Sequence, residues 1–363
     1  MQIKKTRSEQ AKFDFVSGLM QYNSTGLGKA MTEFFVSNEN KFSNSESSTS
    51  AEVISDIGSI MNQAPIYKFG AFFELNNHAL MFKTVLDILE NRRDEVEAWL
   101  DDINQKNFIG QLDLNPEIEP PTYYKNIEIH TQPGNYHGDF AGFLYHWMIA
   151  PFLVQRDDND EMSWQLARRV PNRPYKTILD LGCGIGKSSF PYCDIYPDAN
   201  VVGLDYAAPM LKYGHRIAEE RKKKIYFKQA HAEETGFEDE SFDLVVAIWL
   251  FHELPPKARD KVVREAYRVL SPGGVFAIME SPPFDNLINE YSKLSAFLLD
   301  STGRRMSDPY IPGFFKEDRV EMFKRGGFSN PEDVPLPNEL TGWGSGDSYF
   351  FGSYPWWMTI ATK

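Results

Sequence analysis

Three glycines at alternate positions, Gly182, Gly184 and Gly186, follow the short apolar run Ile178-Leu179-Asp180-Leu181. With no Cβ atoms in the way, such a turn lets a ligand lie against bare backbone. About twenty residues later the run Asn200-Val201-Val202-Gly203-Leu204 ends in Asp205, where an acid suits a pair of ribose hydroxyls. These residues could therefore hold a nucleoside-type ligand. A plainer reading stays open, in which Asp180 caps the turn and Asp205 ends a strand. Further on, His252 stands in Phe251-His252-Glu253-Leu254-Pro255. Imidazole is the side chain whose ordinary pKa suits proton transfer near neutrality, which makes His252 the candidate general base. Capping the next helix or pairing with Glu253 is the alternative. His130, His137 and His146 lie among Tyr123, Tyr124, Tyr136, Phe140, Phe143, Tyr145 and Trp147. Such an aromatic wall can close over a site and hold a cation, and a helical core or a dimer interface accounts for it equally well. Tyr136 and His137 follow a Pro-Gly turn and are the candidate acceptor-side residues.

The elements that must position these groups divide the chain in two. From about Lys176 strands at 177–181, 200–204, 225–229, 242–248 and 274–280 alternate with helices at 187–193, 207–221 and 256–269. That alternation predicts an α/β fold with a doubly wound, mostly parallel sheet. Before it, residues 11–36, 51–62, 69–100 and 138–154 carry helical spacing, the first interrupted at Gly26 and Gly28 and the last near Pro151. The Ser- and Asn-rich stretch 38–50 reads as a linker. The expected division is a helical, aromatic-rich domain over 1–170 and a ligand-binding domain over 171–363. Past Pro283, helices fit 285–300 and 318–325 and a last strand fits 356–361; the Gly-rich piece from Gly342 to Gly346, with Trp343, Tyr349, Phe350, Phe351 and Tyr354 around it, reads as a loop.

The 363 residues carry 38 Lys and Arg against 51 Asp and Glu, a formal charge of −13, which disfavours a nucleic-acid partner. The two cysteines, Cys183 and Cys193, suggest neither a disulfide framework nor a zinc site. No metal-ligand cluster has convincing spacing, so no metal is expected. The N-terminus lacks a signal-peptide core, and the apolar stretch Tyr145 to Val154 is too short to span a bilayer. The expectation is a soluble cytoplasmic protein with no membrane span, and a homodimer if the amphipathic N-terminal helices leave an apolar face exposed.

Four segments in order, 178–189, 200–205, the strand entered through Phe242-Asp243, and Arg268 to Ile278 with its Pro-Gly-Gly turn, together resemble the class I S-adenosylmethionine (SAM)-dependent methyltransferases. The look is nearest to the branch that includes ubiquinone/menaquinone-biosynthesis C-methyltransferases and many small-molecule enzymes. The resemblance covers roughly Tyr175 to Met279 and not the first half. It implies a seven-stranded Rossmann-like sheet with a late antiparallel strand, SAM as cofactor and S-adenosylhomocysteine as product. It further implies that Gly182, Gly184 and Gly186 lie under the methionine part, that Asp180 helps place its amino group, and that Asp205 binds the ribose. Tyr206 would pack on adenine, and Ile248 and Trp249 would line the methionine end, with a core role equally open for Trp249. The family's Asp-Ala pair is here His231-Ala232, followed by Glu233. A neutral imidazole can accept from the adenine amine, and Glu233 or backbone groups are the alternatives. The loop carrying His252 would lie near the transferred methyl. The implied activity is methyl transfer to a small organic acceptor, with oxygen or nitrogen favoured; methylation of a protein, or SAM binding without catalysis, are the competing readings.

Two look-alikes fail. Gly186-Lys187-Ser188 resembles the end of a phosphate-binding loop, but the required earlier glycine is Leu181. Ser281-Pro282-Pro283-Phe284 is similar to a base-amine methylation motif, but it follows the wrong strand and begins with Ser.

Overall fold

A computed structural model describes residues 3–41, 49–101, 108–152, 160–336 and 356–363. Its centre is an eight-stranded sheet in the order β1-β4-β3-β2-β5-β6-β8-β7. The strands are β1 (Gln111–Asp113), β2 (Thr177–Leu181), β3 (Asn200–Asp205), β4 (Ile225–Gln229), β5 (Phe242–Ile248), β6 (Leu270–Glu280), β7 (Glu332–Pro335) and β8 (Trp357–Thr362). β1 to β6 run parallel, while β8 pairs antiparallel with both β6 and β7. The central strands are near-continuous apolar runs because both faces of the sheet are covered. Alternate side chains go to opposite cores. Ile178, Val201, Leu244, Val246 and Val275 join one cluster, and Leu179, Val202, Val245, Ala247 and Phe276 join the other.

The helices are α1 (Arg7–Tyr22), α2 (Gly28–Ser37), α3 (Ser50–Met61), α4 (Pro65–Glu90), α5 (Arg93–Asp101), α6 (Ala141–Phe152), α7 (Glu161–Ala167), α8 (Phe190–Ile195), α9 (Ala208–Glu220), α10 (Pro256–Val269), α11 (Phe284–Asn286), α12 (Lys293–Arg305), α13 (Ile311–Phe314) and α14 (Arg319–Arg325). Thr6 and Thr49 start α1 and α3 with capping boxes to Glu9 and Glu52. The first-half helices share the sheet's cores. Phe13 of α1, Val85 of α4 and Phe143 of α6 pack in the first cluster, while Met31 of α2 and Ile57 of α3 pack in the second. No helix among the described residues is long and apolar enough to cross a membrane.

Three local expectations change. The sheet has eight strands because the first half adds β1, an edge strand of three residues anchored by Tyr226 Oη donating to Asp113 at 2.9 Å. β6 starts at Leu270, because that residue pairs with Phe242 across a register irregularity and the Pro-Gly-Gly turn is absorbed into the strand. α8 begins at Phe190, since Gly186 takes a left-handed φ of 78° and residues 187–189 finish the turn. Most of the predicted linker and the Gly-rich aromatic loop lie outside the described residues.

Candidate active site

In a doubly wound sheet a crevice opens beyond the carboxyl ends of the strands, where the chain order reverses. Here that point is β2, flanked by β3 and β5. The loop leaving β2 holds Gly182, Gly184 and Gly186 at φ of 67°, 53° and 78°, a region that side-chain-bearing residues seldom adopt. Asp205 at the end of β3 pins this loop. Its Oδ2 accepts from the Gly184 N–H and its Oδ1 from the Ala207 N–H, both at 2.9 Å. Burial pushes the Asp205 carboxyl up to about 6, against the pull of those two N–H groups.

Gly182 and Gly184 line the cavity, whereas Asp180 and Gly186 do not. Asp180 is fully buried, and the Ser188 and Ser189 hydroxyls donate to its Oδ2 at 2.5 and 2.6 Å. Burial pushes it up to about 7. It therefore braces the turn from beneath through Oδ2, while Oδ1 stays buried with no partner among the described residues. Gly186 sits against Phe227, whose ring would lie 2.7 Å from an added Cβ.

Beyond β3 and β4 the cavity is walled by Tyr206, His231, Ala232 and Glu233. Tyr206 and His231 lie parallel, ring centroids 6.2 Å apart, and Tyr124 tilts over Tyr206 at 5.5 Å. The Tyr206 hydroxyl is buried and has no partner among the described residues, a state that a bound polar ligand would relieve. His137 packs edge-on against Tyr206 at 5.0 Å but does not reach the cavity. It supports the wall from behind, contrary to its expected place beside Tyr136.

The third wall is built around the end of β5. Ile248 and Trp249 line it, and Trp249 carries a left-handed φ of 57° while packing on Trp356. A single 3-10 turn, Phe251–Glu253, follows. Glu280, at the end of β6, accepts from the Phe251 N–H at 2.8 Å through Oε1 and meets His252 Nδ1 at 2.7 Å through Oε2. Burial drives the His252 imidazole toward neutrality, but Glu280 outweighs it and the pKa rises. The ring lines the cavity.

A roof comes from the first half and from the segment after β6. Tyr123, Tyr124, His130, Tyr136 and Tyr145 contribute from one side, and Leu299, Met306, Ile311 and Phe315 from the other. Tyr136 donates to Glu253 Oε1 at 2.7 Å, and Tyr123 to Glu233 at 2.8 Å. His130 Nε2 meets the same Glu253 oxygen at 3.1 Å. Burial works against the charged form of His130, yet Asp308 and Glu253 hold its pKa well above the ordinary value. His146 belongs elsewhere: its Nδ1 meets the Tyr213 hydroxyl at 2.6 Å in the core.

The fold thus brings ten of the thirteen expected site residues to one cavity: Gly182, Gly184, Asp205, Tyr206, His231, Ala232, Ile248, Trp249, His252 and Tyr136. Sequence reasoning missed Glu280 and Asp308. An acid closing the apolar run Val275 to Met279 was a signal for the first; nothing near position 308 signalled the second.

A protein-family model described as a methyltransferase domain matches residues 178–274. A demethylmenaquinone methyltransferase of Thermus thermophilus is 39% identical over 108 residues, covering 30% of this chain and 48% of that protein. One of Lactobacillus johnsonii is 31% identical over 166 residues, covering 42% and 67%. A trans-aconitate 2-methyltransferase of Deinococcus radiodurans is 30% identical over 180 residues, covering 47% and 67%. The chain thus spans about half the length of the first of these relatives and two thirds of the other two.

Proposed function

This chain belongs to the class I SAM-dependent methyltransferases, and we propose that it methylates a small organic acceptor at oxygen or nitrogen. The observation that carries this reading is a single walled cavity reached by both the glycine loop with Asp205 and the His252 turn. The residues fit the cofactor: a cavity-lining loop with bare backbone at Gly182 and Gly184, a buried carboxylate with lone pairs to spare, and an orphaned Tyr206 hydroxyl.

Bound SAM supplies a methyl on sulfonium, already activated for in-line displacement. The protein then has to align two reactants and keep water out. In our reading Gly182 and Gly184 form the platform, Asp205 takes the ribose hydroxyls, and Tyr206, His231 and Ala232 frame the base. Asp180, through Ser188 and Ser189, is a positioning residue for the loop. Glu280 can only accept at His252 Nδ1, so in the neutral ring the other nitrogen, Nε2, carries the lone pair. We assign His252 as the catalytic residue that takes the proton of an O–H or N–H acceptor seated beneath Tyr136. The roof favours a small molecule over a peptide, since a peptide would need an open groove.

The test is turnover of methyl-labelled SAM with fractionated small-molecule extract, with Asp205→Ala as control. Label in a small-molecule product, made only by the unmutated chain, supports the proposal. Label in protein replaces it with the peptide reading, and failure to bind SAM refutes it.

A further inference from the structure

His130 and His252 are held by the same device. Asp308 accepts from the His130 main-chain N–H at 3.1 Å with one oxygen and meets Nδ1 at 2.8 Å with the other. Glu280 does the same with the Phe251 N–H and His252 Nδ1. Each buried carboxylate thus locks its ring's backbone and its tautomer together, and each leaves Nε2 to point elsewhere. Histidines that bind metals have this support, a carboxylate on the nitrogen that does not ligate. Glu253 lies between them, and one potential donor atom from each of His130, His252 and Glu253 lies within 4.8 Å of the other two.

We propose that His130, His252 and Glu253 form a binding site for a divalent transition-metal ion that holds the acceptor's oxygen. This rests on the methyltransferase reading for the acceptor and replaces the role of His252 as base with that of a metal ligand. The His130 Nε2 to Glu253 Oε1 separation is 3.1 Å. Two donors on one ion at about 2.1 Å, roughly 90–110° apart, stand about 3.0–3.4 Å from each other. That pair is therefore already at ligand spacing, and His252 closes the set by moving inward. Two imidazoles and a carboxylate suit zinc, cobalt or ferrous ions rather than calcium or magnesium, which prefer all-oxygen sites. Three protein ligands leave coordination positions open toward the cavity.

Charge supplies a second argument. Among the described residues lining the cavity, Lys187 is the only lysine or arginine, and it belongs to the glycine loop. Glu253 and Asp308 stand at His130. His130 is already charged by its two acids, and a bound ion would add positive charge where an acceptor oxygen becomes anionic. With the ion in place the His252 lone pair serves the metal. The acceptor's O–H, acidified by coordination, would lose its proton to bulk solvent as the acceptor binds. The oxygen electron pair would form the new bond to the methyl carbon. The C–S electrons return to sulfur, and the ion keeps its oxidation state.

The experiment uses the full chain, stripped with chelator, dialysed and titrated with Co²⁺ by calorimetry and visible absorption, with SAM affinity measured in parallel. Saturable one-to-one binding with a ligand-field band is expected. His130→Gln and Glu253→Gln should each weaken it by at least about tenfold, with SAM affinity held within about twofold. Absence of saturable binding by the unmutated chain, or binding that survives both substitutions, overturns the site and leaves His130 as an ion-pair lock on Glu253. The unmutated titration needs no variant to fold. Co²⁺ binding without SAM binding would sink the methyltransferase reading and leave the metal site standing; SAM binding without Co²⁺ binding would do the reverse.

Discussion

Replacing Gly184 with alanine separates backbone strain from loss of the cofactor platform. Gly184 sits at φ 53°, and an added Cβ would meet no protein atom nearer than Met210 Cε at 3.4 Å. The protein therefore tolerates the methyl sterically, and the methyl stands in cavity space. Left-handed backbone costs an alanine about 1–2 kcal/mol. With an unfolding entropy of about 2.1 cal/mol/K per residue, the 363 residues convert that cost to a drop in Tm of roughly 1–3 °C. Against a ligand lying on the loop, the extra methyl acts as overpacking, about 1–3 kcal/mol, or roughly a 5- to 150-fold weaker Kd for SAM. Gly273 provides the control. It has φ 78° and nothing within 4 Å of an added Cβ, and it lies in the β6 turn away from the cavity. Gly273→Ala should show the same Tm drop with SAM affinity intact. Differential scanning calorimetry and SAM titration calorimetry on both variants decide the matter. Equal SAM affinity for Gly184→Ala and the unmutated chain would refute the loop as platform.

Other outcomes follow from the same geometry. Tyr136→Phe removes the donor to Glu253 at 2.7 Å; a hydrogen bond to a charged group contributes about 1.5–3 kcal/mol, so kcat/KM for the acceptor should fall by roughly 10- to 150-fold with the Kd for SAM unchanged. Burial holds Asp205 up to about 6, with its two N–H donors and Glu253 acting on the same carboxyl. Ribose hydroxyls need the ionised acceptor, so SAM affinity measured by calorimetry should rise with pH through about 6 and level off above it, and Asp205→Asn should flatten the profile. For Asp180 the folded pKa of about 7 lies above the model value of 3.8. Its stability contribution is complete below the unfolded value and is lost as pH rises through about 7. Asp180→Asn should therefore gain Tm over the unmutated chain at pH 8 and not at pH 4, and a constant difference would contradict the assignment. Gly142 of α6 packs so closely on α9 that an added Cβ would lie 2.3 Å from Tyr213 Cβ; Gly142→Val should cost about 1–3 kcal/mol in urea unfolding, as one transition if the first half and the sheet share a core.

The parallel strands and the glycine loop were legible because each is a local pattern. β2, β3, β4 and β5 are short, mainly apolar runs bounded by turns, and their limits match the expected ones within a residue. β1 was not legible: three residues, Gln111-Leu112-Asp113, are too few to show a period, and tertiary pairing with β4 makes them a strand. In the site, residues of the strand ends and the loops after them, such as Asp205 and His252, could be named because the fold class fixes where such positions lead. Asp180 could be named but not assigned, since whether an acid faces a ligand or its own turn depends on side-chain direction. Ser188 and Ser189 turn one oxygen, Oδ2, toward the loop, and Oδ1 stays buried with no partner among the described residues. His137 failed for a similar reason, as two neighbouring residues after a turn point different ways.

Glu253 explains why the acceptor side could not be read from spacing at all. One carboxylate gathers Tyr136 from the first half, His130 from its own short turn and, through the adjacent His252, Glu280 from β6. These groups lie more than a hundred positions apart along the chain in two of the three cases. They meet only because the roof of the first half closes on the carboxyl ends of the sheet. A residue with that many partners is costly to bury without function, since each partner restricts it and none is an arginine or lysine. The first half therefore lines the cavity as well as forming part of the core, and a sheet domain cut free at 171 would keep the glycine loop and Asp205 while losing His130 and Tyr136. Under the proposed function the first half would select what is methylated.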